Sequence, residues 1–274
     1  MSLNDYVIRQ LLGKGTFGQV YLAEGPTGYV ALKIIDPRYV SRETPLIYKE
    51  YELGQRINNI CNQTVPYKKI FMTRLAKGGI FPPEWTEKNC LVIVMTYLTG
   101  YSMSRYVQHY TKHRQNVPPT TCLNYLIQTG RIVQQLHRHN FVHGDWNLGN
   151  VFLSNGHYYL IDLGGAADLS VTDPRRADGF RLDKVITGPV YMVPALISLL
   201  AHPETATPEL MANCAKSNDV YSLIVSGLIL MCPRLIMDDG VVILSRHNDV
   251  PKMFDSYRRI NMNLPLTDHF LSLL

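Results

Sequence analysis

A lysine inside an apolar strand constrains this chain more than any other feature. Residues 29–35 read Tyr-Val-Ala-Leu-Lys-Ile-Ile, and these apolar and β-branched side chains predict a β-strand. Alternation along a strand places Ala31 and Lys33 on the same face. Burying a charged amine is costly unless an opposite charge pairs with it, although an edge lysine can also reach water. If the strand is buried, the fold must therefore bring a carboxylate to Lys33.

A helix predicted at about residues 44–58 offers two acids for this role, Glu50 and Glu52. Helical spacing places Glu50 on the apolar stripe, which should face inward. Glu52 falls on the polar face, which should point to solvent. The other residues on that polar face are Tyr48, Lys49, Gln55 and Arg56. We therefore predict that Glu50 is the partner of Lys33.

A glycine-rich stretch lies between two predicted strands at residues 6–12 and 19–24. Gly13, Gly15 and Gly18 form a Gly-x-Gly-x-x-Gly pattern. Glycines let the backbone approach phosphate groups closely, because no Cβ intervenes. The pattern alone is equally compatible with a flexible hairpin turn. The strand that follows argues against a dinucleotide-binding motif, which requires a helix after the glycines.

Two polar loops carry acidic residues in the second half of the chain. The first reads His-Gly-Asp-Trp-Asn-Leu-Gly-Asn at residues 143–150 and follows a long predicted helix. The second reads Ile-Asp-Leu-Gly at residues 161–164 and follows an apolar strand. An aspartate after a strand is often only a turn former. Both loops, in this order after the glycine stretch and the strand lysine, form a specific combination.

The distribution of predicted elements indicates an α+β fold with two lobes. Residues 1–98 read mainly as strands, except that residues 60–90 look irregular. Residues 99–274 read mainly as helices, including a long one around residues 123–137 and a buried one at about residues 220–233. We expect one domain with a β-rich N-terminal lobe, a helical and shortened C-terminal lobe, and a cleft between them.

Composition narrows the classes of function. The net charge of +5 suits anionic ligands such as nucleotides but does not indicate specific nucleic-acid binding. The five cysteines are widely spaced without a Cys-x-x-Cys pair, so neither a zinc site nor a disulfide framework is predicted. No run reaches the ~20 apolar residues of a membrane span, and the N-terminus has no apolar signal core. We expect a cytoplasmic protein in a reducing compartment, without membrane contact.

The motifs resemble those of eukaryotic-type protein kinases across nearly the whole chain. That family carries a glycine-rich loop, a strand lysine, a helix glutamate, His-Arg-Asp-x-x-x-x-Asn and Asp-Phe-Gly, in this order. The resemblance implies a bilobal kinase fold, binding of ATP with Mg²⁺ or Mn²⁺, and transfer of the γ-phosphate to a protein, at serine or threonine. The chain is similar to a divergent, compact member of viral or bacterial-effector type, which would act inside a host cell.

The resemblance also implies roles for the catalytic residues. Asp145 would orient the acceptor hydroxyl and accept its proton. Lys33, paired with Glu50, would hold the α- and β-phosphates. Asn150 and Asp162 would ligate Mg²⁺, because oxygen ligands suit this ion.

The resemblance further implies which residues contact the nucleotide. The loop over the phosphates would comprise Gly13, Lys14, Gly15, Thr16, Phe17 and Gly18. The adenine would lie among Leu12, Val20, Ala31 and Phe152, with Met95 as the gatekeeper residue behind it. The hinge strand would comprise Thr96, Tyr97 and Leu98.

The chain departs from the family pattern where the acceptor should bind. Gly144 replaces the usual arginine of the catalytic loop, and Asn147 stands where serine/threonine kinases usually carry lysine. The usual Gly-Thr appears in reverse order as Thr187 and Gly188. Because the missing arginine contacts an activation-loop phosphate in the family, we predict that activity does not require phosphorylation of Ser170, Thr172 or Thr187. The alternative is that Arg175, Arg176 or Arg181 takes the place of that arginine.

Two other functions remain open. A small-molecule kinase of the aminoglycoside- or choline-kinase type is one, because His-Gly-Asp followed by Gly149 and Asn150 resembles that group's catalytic loop. The glycine-rich loop and residues 217–222, where Asp219 would brace the catalytic loop, argue against it. A non-catalytic pseudokinase is the other, and the presence of a complete set of catalytic residues argues against that reading.

Overall fold

The computed structural model describes residues 3–15, 17–76, 80–173, 175–188 and 191–231. Five strands form an antiparallel sheet in the order β1-β2-β3-β5-β4. Their bounds are β1 Val7–Gly15, β2 Gly18–Gly25, β3 Gly28–Ile35, β4 Tyr67–Arg74 and β5 Asn89–Thr96. One helix, α1 at Pro37–Ile60, connects β3 to β4.

Strand β3, which carries Lys33, lies at the centre of the sheet. β3 has neighbours on both sides, β2 and β5, so it is not an edge strand. On one face, Ala31 and Ile35 pack in the same core as Leu53 and Ile57 of α1. The other face forms a second core that includes Trp85. Lys33 shares the α1 face with Ala31, which directs its amine toward the helix.

Helix α1 begins earlier than the sequence pattern indicated. The prediction placed it at about residues 44–58, whereas it starts at Pro37. The carboxylate of Asp36 accepts a hydrogen bond from the N–H of Arg38 over 2.9 Å, and a proline in the first turn has no N–H to leave unsatisfied. Pro45 lies inside the helix. Because a proline usually marks a helix boundary, it hides the turns before it from the sequence pattern.

The prediction of irregular structure at residues 60–90 is wrong over strand β4. This strand lies at the edge of the sheet, next to β5. Its burial does not alternate cleanly, and Met72 is 52% exposed. Its register also shifts between Tyr67 and Lys69. An edge strand with a bulge need not carry the period-two pattern by which strands are recognised.

Helices and short strands make up the described remainder of the chain. In order they are β6 Tyr101–Ser102, α2 Met103–Lys112, α3 Pro119–Arg138, β7 Phe141–Val142, β8 Val151–Ser154, β9 His157–Leu160, β10 Ala167–Asp168, α4 Pro194–Ala201 and α5 Pro208–Met231. A five-stranded sheet followed by a mainly helical part confirms the α+β prediction.

Helices α3 and α5 pack against each other in the helical part. Residues 222–230 of α5 are all buried, which confirms the expected apolar helix as far as residue 231. The expected end of this helix at 233 and the rest of the C-terminal lobe lie outside the described residues. Among the helices that the structure describes, none is long and apolar enough to cross a membrane.

Candidate active site

Three charged side chains meet between the sheet, helix α1 and the turn after β9. The amine of Lys33 lies 2.8 Å from each carboxylate oxygen of Glu50 and 2.9 Å from Oδ1 of Asp162. Burial opposes the charge, but Asp162 and Glu50 together raise the pKa of the Lys33 amine above its ordinary value. Lys33 therefore stays protonated at neutral pH. Glu52, two residues along the helix, is exposed.

The loop after β7 brings a second pair together. The side-chain amide of Asn150 donates to the carboxylate of Asp145 and to its carbonyl oxygen, each over 2.9 Å. Burial raises the pKa of Asp145 to about 6, close to the working pH of a general base. The charge of nearby Asp162 adds to this rise, whereas His143 and Asn150 oppose it.

Asn147 has a structural role where a lysine is usual in serine/threonine kinases. Its oxygen accepts from the N–H groups of Gly149 and Asn150, over 2.8 and 3.2 Å. Its amide donates to the carbonyl of Asp145 over 3.1 Å. These bonds fix the loop that presents Asp145. The Asn147 side chain therefore points back at its own loop.

Asp219 anchors the same loop from helix α5. Its buried carboxylate accepts from the N–H groups of His143 and Gly144, over 2.8 and 2.9 Å. The ring of His137 lies 3.1 Å from the same carboxylate. The loop that carries Asp145 is thereby tied to the core of the helical part.

The backbone at Gly144 explains why no arginine stands there. Its φ of 72° lies in the left-handed region, which side chains rarely adopt. A Cβ at this position would also overlap the carbonyl oxygen of Gly165. The carbonyl of Gly144 accepts a hydrogen bond from Thr187 over 2.5 Å, and Asn218 donates to that hydroxyl over 3.3 Å. Thr187 thus supports the loop that carries Asp145.

The residues expected to contact a nucleotide lie on the hairpin β1–β2, on the interior strands β3 and β5, and on β8. Leu12 and Val20 are half-buried on the hairpin β1–β2, and Ala31 is paired in register with buried Met95. Phe152 is half-buried on β8, the strand after the catalytic loop. Tyr97 and Leu98 follow β5 directly and are half-buried.

The glycine-rich turn joins β1 to β2. A Cβ added at Gly13 would meet no described atom within 4 Å, so this part of the loop is open to a ligand. Gly18 instead lies against the backbone of Ile34, where a side chain could not fit. Phe17 packs edge-on against Tyr39 with ring centres 5.5 Å apart. Thr16 lies outside the described residues.

The oxygen atoms near Asp162 fit a divalent cation. The charge of Asp162 contributes to the raised pKa of Asp145, so the two carboxylates repel each other. The carboxylate of Asp162 is 49% exposed, and the side-chain amide of Asn150, which donates to Asp145, carries a further oxygen. Such a set suits Mg²⁺, which takes few protein ligands and retains water. In the ranges that the structure describes, no cluster of three or more His, Cys, Asp and Glu forms a metal site.

Arg56 connects α1 to the segment that follows Asp162, a contact that sequence reasoning missed. It forms ion pairs with Asp168 and, over 3.2 Å, with Asp178. Asp178 also binds Arg176 over 2.6 Å. The helical pattern placed Arg56 on a face exposed to solvent, and only tertiary contacts reveal its partners. Lys49, assigned to that same face, is buried, which lowers the pKa of its amine to about 8.

Tyr67 is a second residue that sequence reasoning missed. Its hydroxyl donates to Glu50 over 2.9 Å and accepts from the N–H of Leu163 over 3.1 Å. The residue stands at the start of β4, in the segment for which the sequence predicts irregular structure. The sequence around it carries no signal for this contact.

Comparisons with known proteins agree with this arrangement. A family model described as the protein kinase domain matches residues 6–268. The chain is 25% identical over 206 residues to the serine/threonine-protein kinase PLK4 of Drosophila sechellia, covering 73% of this chain and 24% of that protein. It is 27% identical over 177 residues to the serine/threonine-protein kinase Nek11 of Homo sapiens, covering 61% and 25%.

A third relative carries a different description. The chain is 26% identical over 155 residues to a probable bifunctional tRNA threonylcarbamoyladenosine biosynthesis protein of Methanosarcina mazei, covering 57% of this chain and 24% of that protein. The chain thus spans about a quarter of the length of these curated relatives.

Proposed function

The chain belongs to the protein kinase family, and from this premise we propose that it is an active, Mg²⁺-dependent kinase that phosphorylates serine or threonine in a protein. Members of this family use ATP and a divalent metal ion. One observation carries the proposal: Lys33 contacts Glu50 and Asp162 at 2.8–2.9 Å, and the charge of Asp162 acts on nearby Asp145, which Asn150 holds at 2.9 Å. A protein that had lost catalysis would not need to keep Lys33 in contact with its two carboxylates and Asn150 in contact with Asp145.

Each part of the site has a distinct task in the proposed reaction. Asp162 and Asn150 would hold Mg²⁺, which neutralises phosphate charge as the γ-phosphoryl group leaves. Lys33, kept charged by its two carboxylates, binds the α- and β-phosphates. Asp145 orients the acceptor hydroxyl and takes its proton. Asp219 and Asn147 keep the loop of Asp145 in place.

We propose that the nucleotide lies between two lobes, residues 1–98 and 99–274. The glycine-rich turn would cover its phosphates, and residues 96–98 would bind its adenine edge. Leu12, Val20, Ala31 and Phe152 would supply the apolar walls, with Met95 behind them. Leu12 and Val20 flank the open turn at Gly13 and pack with Ala31 and Met95 in one core, which supports this assignment.

A protein acceptor is favoured over a small metabolite. The segment after the site is held by α5: Asn218 accepts from the N–H of Val193 over 2.9 Å, and Ser222 donates to the carbonyl of Tyr191 over 2.6 Å. Burial and the charge of nearby Asp145 raise the pKa of Tyr191 to about 12, so a supported backbone at Tyr191 lies close to Asp145, which suits an extended peptide. The His-Gly-Asp sequence keeps a small-molecule kinase as the second candidate, and an assay of phosphate transfer separates the two.

A reducing intracellular setting is part of the proposal. Cys61, Cys90 and Cys214 are free and buried. Burial raises the pKa of the Cys90 thiol to about 12. Free thiols of this kind suit a compartment in which disulfides do not form.

The decisive experiment is phosphate transfer by the purified chain. It would be incubated with γ-labelled ATP, Mg²⁺ and a mixture of protein acceptors, or with aminoglycosides and choline in parallel. We expect label on serine or threonine of protein. Asp145→Asn should lower the rate about a hundredfold or more, while ATP binding and the thermal midpoint stay close to those of the wild type.

Asp162→Ala provides the contrasting variant. Because Asp162 would hold the metal, this change should weaken binding of Mg·ATP as well as transfer. Label found only in a small molecule would favour the second candidate. Near-normal transfer by Asp145→Asn would refute the catalytic assignment.

A further inference from the structure

Tyr67 touches the centre of the site without belonging to any kinase motif in the sequence. Its hydroxyl lies 2.9 Å from Oε1 of Glu50, the oxygen that also lies 2.8 Å from the amine of Lys33. The same hydroxyl accepts the N–H of Leu163, the residue directly after Asp162, over 3.1 Å. One phenol therefore connects helix α1 to the backbone that carries the proposed metal ligand.

The start of β4 is shaped to direct this side chain inward. The register with β5 shifts between Tyr67 and Lys69, and Tyr67 is paired with Met95. Such a bulge changes the direction in which a side chain points. The N–H of Tyr67 also donates to the side chain of Asn58 on α1 over 3.1 Å. The bulge and the bond to Asn58 hold the ring between the helix and the sheet, where Tyr67 is 5% exposed.

Gly54 provides the room that the ring needs. It lies one helical turn after Glu50, on the same face of α1. A Cβ at this position would stand 2.6–2.9 Å from three atoms of the Tyr67 ring, closer than carbon atoms can pack. Glycine is unfavourable inside a helix, and here the fit of the ring offsets that disadvantage. The two residues form a matched pair.

The hydroxyl acts as a neutral donor. Burial, together with the charges of Glu50 and Asp162, raises the pKa of the Tyr67 phenol well above its ordinary value. It therefore keeps its proton, which it shares with Glu50, while its oxygen receives the N–H of Leu163. Removing the oxygen would leave a buried carboxylate and a buried amide each short of one partner, and such losses are costly.

We propose that Tyr67 is a positioning residue, which holds Glu50 and the segment after Asp162 in the arrangement that engages Lys33. Its effect on catalysis rests on the proposed kinase function, whereas the contact itself does not. The residue acts through Glu50 and Leu163 and would not touch the reacting phosphate.

The first test compares two tyrosine hydroxyls that differ only in their surroundings. Tyr67→Phe removes the hydroxyl but keeps the ring. Tyr51→Phe is the matched control, because the Tyr51 hydroxyl accepts from Gln55 over 2.8 Å and donates to the carbonyl of Lys68 over 3.5 Å, and neither bond involves Glu50 or Leu163. We expect Tyr67→Phe to lower kcat about tenfold or more, in line with the loss of a hydrogen bond to a charged group. KM for the protein acceptor should change less than twofold, and Tyr51→Phe should leave both constants unchanged.

The second test needs no activity. Hydrogen–deuterium exchange at the amide of Leu163, in the nucleotide-free protein, should be faster in Tyr67→Phe by about tenfold and unchanged in Tyr51→Phe. Gly54→Ala gives an independent perturbation, because its methyl group displaces the ring while leaving the hydroxyl present. It should likewise lower kcat and speed exchange at Leu163, and it replaces Tyr67→Phe if that variant does not fold.

The outcomes separate this proposal from the function on which it rests. If exchange at Leu163 is faster in Tyr67→Phe but the wild-type protein transfers no phosphate, the contact is established and the kinase function is refuted. Unchanged exchange, or faster exchange with unchanged kcat, would overturn the positioning role. A rise in kcat in Tyr67→Phe would also overturn it, because the tyrosine would then restrain the enzyme.

Discussion

Two glutamates on one helix have opposite surroundings, and their difference can be tested residue by residue. Glu50 is 4% exposed and pairs with Lys33, whereas Glu52 is exposed. Glu50→Gln keeps the shape but removes the charge, which leaves the buried amine with Asp162 alone. Losing one partner of a buried pair is strongly unfavourable. We expect kcat/KM for ATP to fall at least about tenfold.

Glu52→Gln is the matched control for this prediction. Its kinetic constants should stay within about twofold of the wild type, because surface charges contribute little. Steady-state kinetics with varied ATP would measure both variants. Equal losses in the two variants, or a larger loss in Glu52→Gln, would contradict the pairing of Lys33 with Glu50.

The left-handed backbone at Gly144 leads to a second prediction at the residue scale. Any side chain there meets both an unfavourable φ and the carbonyl oxygen of Gly165. We expect Gly144→Ala to lower the free energy of unfolding by about 2 kcal/mol or more. The control is Gly130→Ala in α3, where a Cβ meets no described atom within 4 Å. That change should raise stability by about 0.5–1 kcal/mol.

Urea denaturation of the two glycine variants would test this contrast. Midpoints that move in opposite directions are the expected result. A Gly144→Ala midpoint equal to that of the wild type would show that the loop can relax around a side chain. An arginine could then be accommodated there too.

The sequence predicts those site residues that carry a local signal. Lys33 stands out because it interrupts an apolar strand, and Asp145, Asn150 and Asp162 because each follows a recognisable element. Tyr67 gave no such signal, since its role depends on a bulge in β4 and on a glycine in another element. Patterns of burial along one helix or strand cannot report a contact that a second element creates.

At the scale of elements, Arg56 links α1 to the segment after Asp162 through Asp168 and Asp178. Asp168 and Asp178 thus already supply to Arg56 of α1 the kind of negative charge that a phosphate would bring. We therefore predict that phosphatase treatment lowers activity by less than about tenfold. Thr187 also makes a poor acceptor site, because it is buried and donates to the carbonyl of Gly144.

A further variant tests the link itself. Arg56→Gln should lower kcat several-fold and make residues 168–188 more sensitive to limited proteolysis. Arg175→Gln is the control, because Arg175 pairs locally with exposed Asp173, and it should behave as the wild type. A loss of activity beyond about tenfold after phosphatase treatment would show that a phosphate is required.

Element type was easier to predict than element extent. Helix α3 repeats its apolar residues at helical spacing, and helix α5 carries a continuous buried run. Strand β4 carries no such pattern, since an edge strand meets different surroundings on its two sides. Helix α1 carries Pro45 inside it, which hides the first two turns from any reading based on proline as a boundary.

At the scale of the whole molecule, the site takes residues from both the sheet and the helical part. A nucleotide bound by both would stabilise only the folded chain. At about 100 times its Kd, Mg·ATP should raise the free energy of unfolding by about 2.7 kcal/mol, which corresponds to about 5 °C or more in Tm.

Thermal denaturation with and without EDTA would measure this effect. Chelation should remove most of the rise, because Asp162 and Asn150 would contact the nucleotide through the metal. Asp162→Ala should show little rise in Tm, whereas Glu52→Gln should show the full one. A full rise in Asp162→Ala would contradict the role given to this carboxylate.

The fit between Gly54 and Tyr67 has a consequence for the history of this chain. A tyrosine arriving at position 67 while any side chain stood at position 54 would meet that side chain at 2.6 Å, so the glycine had to come first or at the same time. While the ring is in place, a side chain at position 54 has no room unless the ring moves. Single changes therefore add the glycine before the tyrosine and remove the tyrosine before the glycine, so each position constrains when the other can change.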